Sequence, residues 1–303
     1  MRLGFALPMF GPTAGPDALT RSAQRAEALG YHSAWVADRL LAPVAPRSPY
    51  PASADGSLPE YFKRSMDPVE ALTFAAAHTR RITLGTSVLN MPFYNPVVLA
   101  RRLATLDVLS GGRLRVGLGQ AWSADELEAV GADPRARAER ADEFIRVLKA
   151  MWGPDPVEFQ GRHFRVARSI VGLKPVQAPH PPLYLAAYVQ AALRRAATLA
   201  DGWLPSGLPL PALGQMVIQL RTLAREAGRD PARLEVVYLT GAQVTDAALD
   251  DAKRGLLSGS AAQIRGDLAR LGDAGVTEVI AWTGAASLDG FLAGLERFRE
   301  AAG

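Results

Sequence analysis

The stretch 81–122 constrains the fold more than any other part of the chain. It reads RITLGTSVLNMP, then NPVVLARRLATLDVLSGG, then RLRVGLGQAW. In the first piece Ile82, Leu84 and Val88 have the composition of a buried strand, and in the second Leu99, Leu103, Leu106 and Ser110 recur at helical spacing. A strand, a helix and a strand joined by short breaks make a βαβ unit. Such a unit belongs in a parallel sheet, with its crossover helix packed on one face.

The same alternation runs along the whole chain. Short apolar runs at 3–7, 33–37, 183–186, 234–239 and 278–282, with a very short one in DGWLP at 201–205, predict further strands. Between them Leu19, Ala23 and Ala26, then Leu213, Val217 and Leu220, then Ile264, Leu268 and Leu271 mark amphipathic helices. Asp67-Pro68 opens another with an N-cap and a proline in its first turn, and a helix is expected over 134–152 after a short polar link. Eight strands separated by helices predict an α/β fold, a closed (β/α)8 TIM barrel, with an open doubly wound sheet as the rival. Glycine spacing does not help the rival, because GLGQAW at 117–122 lacks the G-x-G-x-x-G of a dinucleotide site.

Two insertions interrupt the pattern. Residues 40–66, rich in Pro, Ser, Ala and Gly, form an extended loop after the second strand, too long for a mere connection and so read as a lid or a partner-binding arm. Residues 157–164 read as a small outer hairpin turning at Gln160-Gly161. Nothing divides the chain, and 1–303 is read as a single domain.

Composition removes several function classes. The 34 basic and 30 acidic residues are interspersed and give a net charge of only +4, which predicts no nucleic-acid partner. The chain has no cysteine, so disulfides, thiolate nucleophiles and thiolate metal sites are excluded. No run of ~18 apolar residues exists, and a soluble protein of the cytoplasm with no membrane partner is expected.

In a barrel, chemistry sits at the carboxyl ends of the strands. There the sequence places Phe10, Asp38, Arg39, Ser87 to Asn90, Gly119 to Trp122, Ala186 to Tyr188, Trp203, Thr240, Gly241 and Trp282. No carboxylate pair is placed for glycoside chemistry, no cluster has metal-ligand spacing, and Ser87 has no histidine to activate it. The four histidines, at 32, 78, 163 and 180, lie away from these ends and read as structural. What remains is a polar and aromatic pocket suited to a flat ring cofactor that supplies the redox chemistry.

On the stretches LGFALPMFG at the start, AEALGYHSAWVADRL at 26–40, 67–122, PVQAPHPPLYLAA from 175 and ALRRAATLADGW at 192–203, the chain resembles the luciferase-like monooxygenase superfamily. Within it the chain is most similar to the coenzyme F420-dependent oxidoreductases. The resemblance implies a barrel with a non-prolyl cis peptide at Ser87-Val88 behind the ring, with Ser87, Val88 and Asn90 as cofactor contacts. Ala186 and Ala187 replace a common Gly-Gly, and with Tyr188 and Gln190 they are expected to hold the cofactor tail at a helix start. Asp38 and Arg39 occupy the family's Asp-His position and are the catalytic candidates. Arg39 cannot exchange a proton near neutral pH, so it either holds developing negative charge on a substrate or pairs with Asp38 and pins the loop. Phe10, Trp122, Trp203 and Trp282 are the expected substrate walls. The implied activity is hydride transfer between coenzyme F420 and a small, moderately apolar organic substrate. The alternatives are an FMN-dependent monooxygenase using reduced flavin and oxygen, and a cofactor-binding protein without turnover. Relatives of this kind often form dimers, so a homodimer is the implied assembly.

Overall fold

The computed structural model describes residues 1–303. Its strands are β1 (Arg2–Ala6), β2 (Ser33–Val36), β3 (Thr83–Thr86), β4 (Leu89–Asn90), β5 (Leu114–Gly119), β6 (Val157–Gln160), β7 (Arg165–Ser169), β8 (Leu183–Leu185), β9 (Gly202–Trp203), β10 (Glu235–Gly241), β11 (Gln243–Val244), β12 (Ser258–Gly259) and β13 (Glu278–Trp282). The helices are α1 (Pro16–Ala28), α2 (Pro68–His78), α3 (Pro96–Ser110), α4 (Ala124–Ala129), α5 (Arg137–Trp152), α6 (Gln190–Leu199), α7 (Leu210–Glu226), α8 (Ala261–Asp273) and α9 (Leu288–Ala302).

The main sheet closes. Its order is β3, β2, β1, β13, β10, β9, β8, β5, β4, and β3 also pairs with β5. Because β3 and β4 are two halves of one bent strand, this is a barrel of eight parallel strands, and the open doubly wound sheet is ruled out. The bend is a one-residue slip: Gly85 pairs with Arg115, whereas Leu89 pairs with Leu118. The Ser87–Val88 peptide inside it is cis, as the resemblance implied.

Helix starts follow the sequence signals. Asp67 and Asn95 accept backbone N–H groups at the starts of α2 and α3, each followed by proline. The helices bury one face against the outside of the barrel, through residues such as Leu19, Leu72, Leu103, Leu220 and Phe298. Inside the barrel a second cluster of Trp35, Tyr184, Leu204, Val237 and Ile280 fills the lumen. Gly85 makes that possible, since a Cβ there would lie 2.2 Å from the Trp35 ring.

Three expectations need correction. The outer hairpin is longer than 157–164: β6 and β7 run to Ser169 and the turn lies after Gln160, because Gly161 N–H bonds to the Phe164 carbonyl. The polar link after Trp122 contains α4, and the helix expected from 134 starts at Arg137. A further short pair, β11 with β12, precedes α8 and was not foreseen. No helix is long and apolar enough to cross a membrane.

Candidate active site

The strands deliver their carboxyl ends to one mouth, and three charged side chains are buried there: Asp38, Arg39 and Glu126. Asp38 follows β2, and its carboxylate accepts the Asn90 N–H at 2.9 Å and the Tyr94 hydroxyl at 3.1 Å. Burial pushes the Asp38 carboxyl up to about 7, against the lowering pull of those two donors. It therefore changes charge near neutral pH.

Arg39 does not pair with Asp38. Its Nη1 lies 3.3 Å from Glu126, its Nη2 donates to the Leu41 carbonyl at 3.3 Å, and its Nε is buried with no acceptor. The guanidinium packs on two rings, Phe62 at 5.0 Å and Trp122 at 4.8 Å. Burial lowers its pKa, and Glu126 offsets this only in part. Glu126 also accepts the Leu40 and Leu41 N–H groups, at 2.8 and 3.4 Å, so one carboxylate ties the root of the long loop to α4. Burial raises the Glu126 pKa despite these partners.

Glu126 was not foreseen, although Ser123 and Glu126 form the S-x-x-E signature of a helix start. Ser123 does cap α4, accepting the Glu126 N–H, while the Glu126 carboxylate turns to Arg39 instead of closing the capping box. Tyr50, Tyr61, Phe62 and Tyr94 were missed as well. Three aromatic residues in an otherwise small and polar loop were the available signal, because such rings must be buried against something.

They are buried against the mouth. Tyr50 packs on Trp122 at 5.4 Å, Tyr61 on Trp282 at 5.2 Å, and Phe62 edge-on to Phe10 at 5.1 Å. A bridge between Phe10 and Ser65 fixes the end of the loop to the rim. The long loop thus contacts the mouth at the ends of β13, β1 and β2 and at the segment after β5, on either side of the bent strand β3/β4. Phe10, Trp122 and Trp282 stand on the rim as expected. Trp203 does not: it is fully buried and its indole N–H donates to the Ala187 carbonyl at 2.9 Å, so it supports the wall from behind and presents no face to a substrate.

The ledge lies in the bent strand between β2 and β5, and the helix start follows β8, the strand beyond β5. Val88 packs against the lumen cluster beside the cis peptide, and Gly119 leaves the room for it, since a Cβ there would sit 2.5 Å from Val88 Cγ2. Ser87 donates its hydroxyl to the Val36 carbonyl at 3.3 Å. Asn90 uses its side chain internally, accepting from Ala121 N–H at 3.0 Å and donating to the Asp38 carbonyl at 3.4 Å. Ala121 has φ 56°, a left-handed conformation that glycine adopts more readily. Ala187 is buried, Tyr188 and Val189 are exposed, and Tyr188 and Ser206 share a hydroxyl contact at 2.8 Å. Helix α6 begins at Gln190 without any side-chain cap, which leaves its first N–H groups free for an anion. A bulged ledge beside an uncapped helix start fits a flat ring with a phosphate-bearing tail. No group of three or more His, Asp or Glu is placed to hold a metal ion.

Comparison with known proteins agrees with this geometry. The family described as luciferase-like monooxygenase matches residues 1–274. An uncharacterized protein of Mycobacterium tuberculosis is 33% identical over 210 residues, covering 69% of this chain and 74% of that one. Among solved structures, the monooxygenase RslO1 from Streptomyces bottropensis has a TM-score of 0.83 at 22% identity, over 99% of this chain and 98% of that one. An F420-dependent secondary alcohol dehydrogenase, solved with an F420-acetone adduct, has a TM-score of 0.81 at 20% identity, over 100% of this chain and 99% of that one.

Proposed function

The chain belongs to the luciferase-like monooxygenase family, and from that premise we propose that it is the F420-dependent kind of oxidoreductase, moving a hydride between the deazaflavin and a small, moderately apolar organic molecule. At the coarser level it is an enzyme, an oxidoreductase that works with a deazaflavin or flavin on a small organic substrate. The observation that carries the reading is the mouth: a bulged ledge and a free helix start, with no metal-ligand set beside them and Asp38 as the group poised to move a proton. Reactivity there has to come from a bound ring, which when present supplies the hydride chemistry.

The chain's own residues have separate tasks. The Ser87–Val88 peptide backs the ring, and the free amides at the start of α6, with Ala186, Ala187, Tyr188 and Gln190 around them, hold the tail. Asn90 acts one step away, by tying Asp38 and Ala121 to the bulge. Phe10, Trp122 and Trp282 give an apolar wall and exclude water on the loop side. Asp38 is the group able to hold or release a proton at neutral pH, at its Oδ atoms, because burial has brought its pKa to about 7. Arg39 stays charged and serves as a hydrogen-bond donor.

Titration of the purified protein with F420 and with FMN, followed by absorbance and by oxygen uptake, tests the proposal. Saturable binding of F420 with exchange of reducing equivalents is the expected result. Oxygen uptake that depends on reduced FMN, with no binding of F420, would overturn it in favour of the monooxygenase.

A further inference from the structure

The floor of the barrel, opposite the mouth, carries a cavity of its own. It has a volume of about 840 Å³ and lies between the amino ends of β1, β2 and β13 and the last turns of α8 and α9. That is the size of a small-molecule site. Leu3, Leu268 and Val276 line it with apolar side chains, and Arg2, His32 and Arg299 bring basic groups. No aspartate or glutamate lines it.

The three basic groups differ in how far the protein already uses them. Arg2 is shared between Glu235 and Glu278. Arg299 gives its Nε–H to the Leu29 carbonyl at 3.1 Å, and its two amino groups meet no acceptor in the protein. They are not sealed in the way of the Arg39 and Arg221 Nε atoms, and the residue lines the cavity. An oxyanion meets the two amino groups of a guanidinium with a pair of parallel hydrogen bonds. The His32 ring has one charged neighbour in reach, Glu278 at 3.9 Å from Nε2, which is too long for a hydrogen bond.

Charge selects the kind of anion. Arg2 and Arg115 together balance Glu235 and Glu278. Arg299 is left as one uncancelled charge, reduced by the carbonyl end of α9 beside it. A dianion would therefore be only partly compensated here, whereas a single carboxylate is matched. His32 adds a second positive charge only when protonated. Burial lowers its pKa, Glu278 and Glu235 oppose this, and Arg115 and Arg2 add to it.

We propose that the floor cavity is a second binding site, for a small monocarboxylate with an apolar body. The carboxylate sits on the two amino groups of Arg299 and against His32, and the body lies along Leu3, Leu268 and Val276. A carboxylate beside the ring favours the imidazolium, so binding takes up a proton at His32 and strengthens as pH falls toward the histidine range. The site stands apart from the mouth and does not depend on which cofactor the mouth takes.

Octanoate, 1-octanol and inorganic phosphate, titrated into the whole chain at low salt by calorimetry, test the proposal, with the His32 ring followed by NMR. Octanoate should bind about tenfold more tightly than octanol or phosphate, the effect of a two-point charged contact combined with an apolar body. Saturating octanoate should move the His32 titration to higher pH. Arg299→Gln should weaken octanoate about tenfold, and Arg299→Lys, which keeps the charge and loses the fork, about threefold. His32→Gln should leave binding at high pH unchanged and remove its strengthening at low pH. An Arg299 that served only the end of α9 would change none of these preferences. Octanol or phosphate binding as well as octanoate would overturn the proposal. So would octanoate that leaves the His32 titration unmoved and ignores both Arg299 variants, since it would then be bound elsewhere.

Discussion

Two arginines, one at each end of the barrel, share a setting and differ in one respect. Arg115 on the floor and Arg39 at the mouth are both buried, both lie against two aromatic rings, and both face a buried glutamate. On the floor every charge is met: Arg115 binds Glu278, Glu235 at 2.6 Å, and the Tyr184 hydroxyl at 3.0 and 2.6 Å from two nitrogens. Ser33, the Trp35 indole and Arg2 share what remains of Glu278. Burial pulls the Arg115 pKa down, but Glu278, Tyr184 and Glu235 more than offset it, so its charge is reinforced. At the mouth burial wins over Glu126, and the buried Nε goes without a partner. The floor cluster is saturated and ties β1, β5, β8, β10 and β13 together, whereas the mouth pair ties the long loop to α4 with fewer bonds.

The sharpest way to break this contrast is to make the same substitution at both ends. Arg115→Met leaves Glu278 buried with too few donors and should cost about 3–5 kcal/mol in urea unfolding. Arg39→Met leaves Glu126 with two backbone N–H groups and should cost about 1–2 kcal/mol. Equal losses would mean that the mouth pair is as structural as the floor.

Asp38→Asn tests the mouth from the acid side. The folded pKa of about 7 lies above that of an unfolded aspartate, so the folded chain holds an extra proton between about pH 4 and 7. Asp38 therefore contributes a loss of stability that grows as pH rises through that window and is constant above it. Asparagine keeps an acceptor for Asn90 N–H and Tyr94 but cannot ionise. The variant's free energy of unfolding should match that of the unaltered protein near pH 4 and exceed it at pH 8, by an amount on the order of 2–4 kcal/mol. A gap that does not change with pH would refute the raised pKa.

Gly119→Ala puts a Cβ against Val88 and should cost about 1–3 kcal/mol, read in the same unfolding assay. The smallest effect is expected at Ala121, whose left-handed backbone suits glycine. Ala121→Gly should stabilise by about 0.5 kcal/mol, the relief of φ outweighing the added chain entropy.

Part of the site was legible because it depends on local pattern. Asp38 and Arg39 end a short apolar run, and a strand end in a parallel barrel has to face the mouth. The position of the bulge at Ser87–Val88 came from resemblance to a family, since GTSVL by itself reads as plain strand. Trp203 was misplaced because a strand of only two residues gives no alternation from which to read inside from outside. Glu126, Tyr50, Tyr61 and Phe62 were missed because their partners lie far along the chain: Glu126 meets Arg39, and Tyr61 meets Trp282.

The sequence by itself determined the eight barrel strands, the helices between them apart from α4, and the rim on which chemistry could occur, because hydrophobic period and helix caps act over a few residues. Which charges meet was decided by the tertiary structure alone. Arg39 had Asp38 beside it in sequence and took Glu126 instead, while Asp38 went to Asn90 and Tyr94. Ion pairs and hydrogen bonds are made across space, at distances that only barrel closure sets, and no spacing along the chain encodes them.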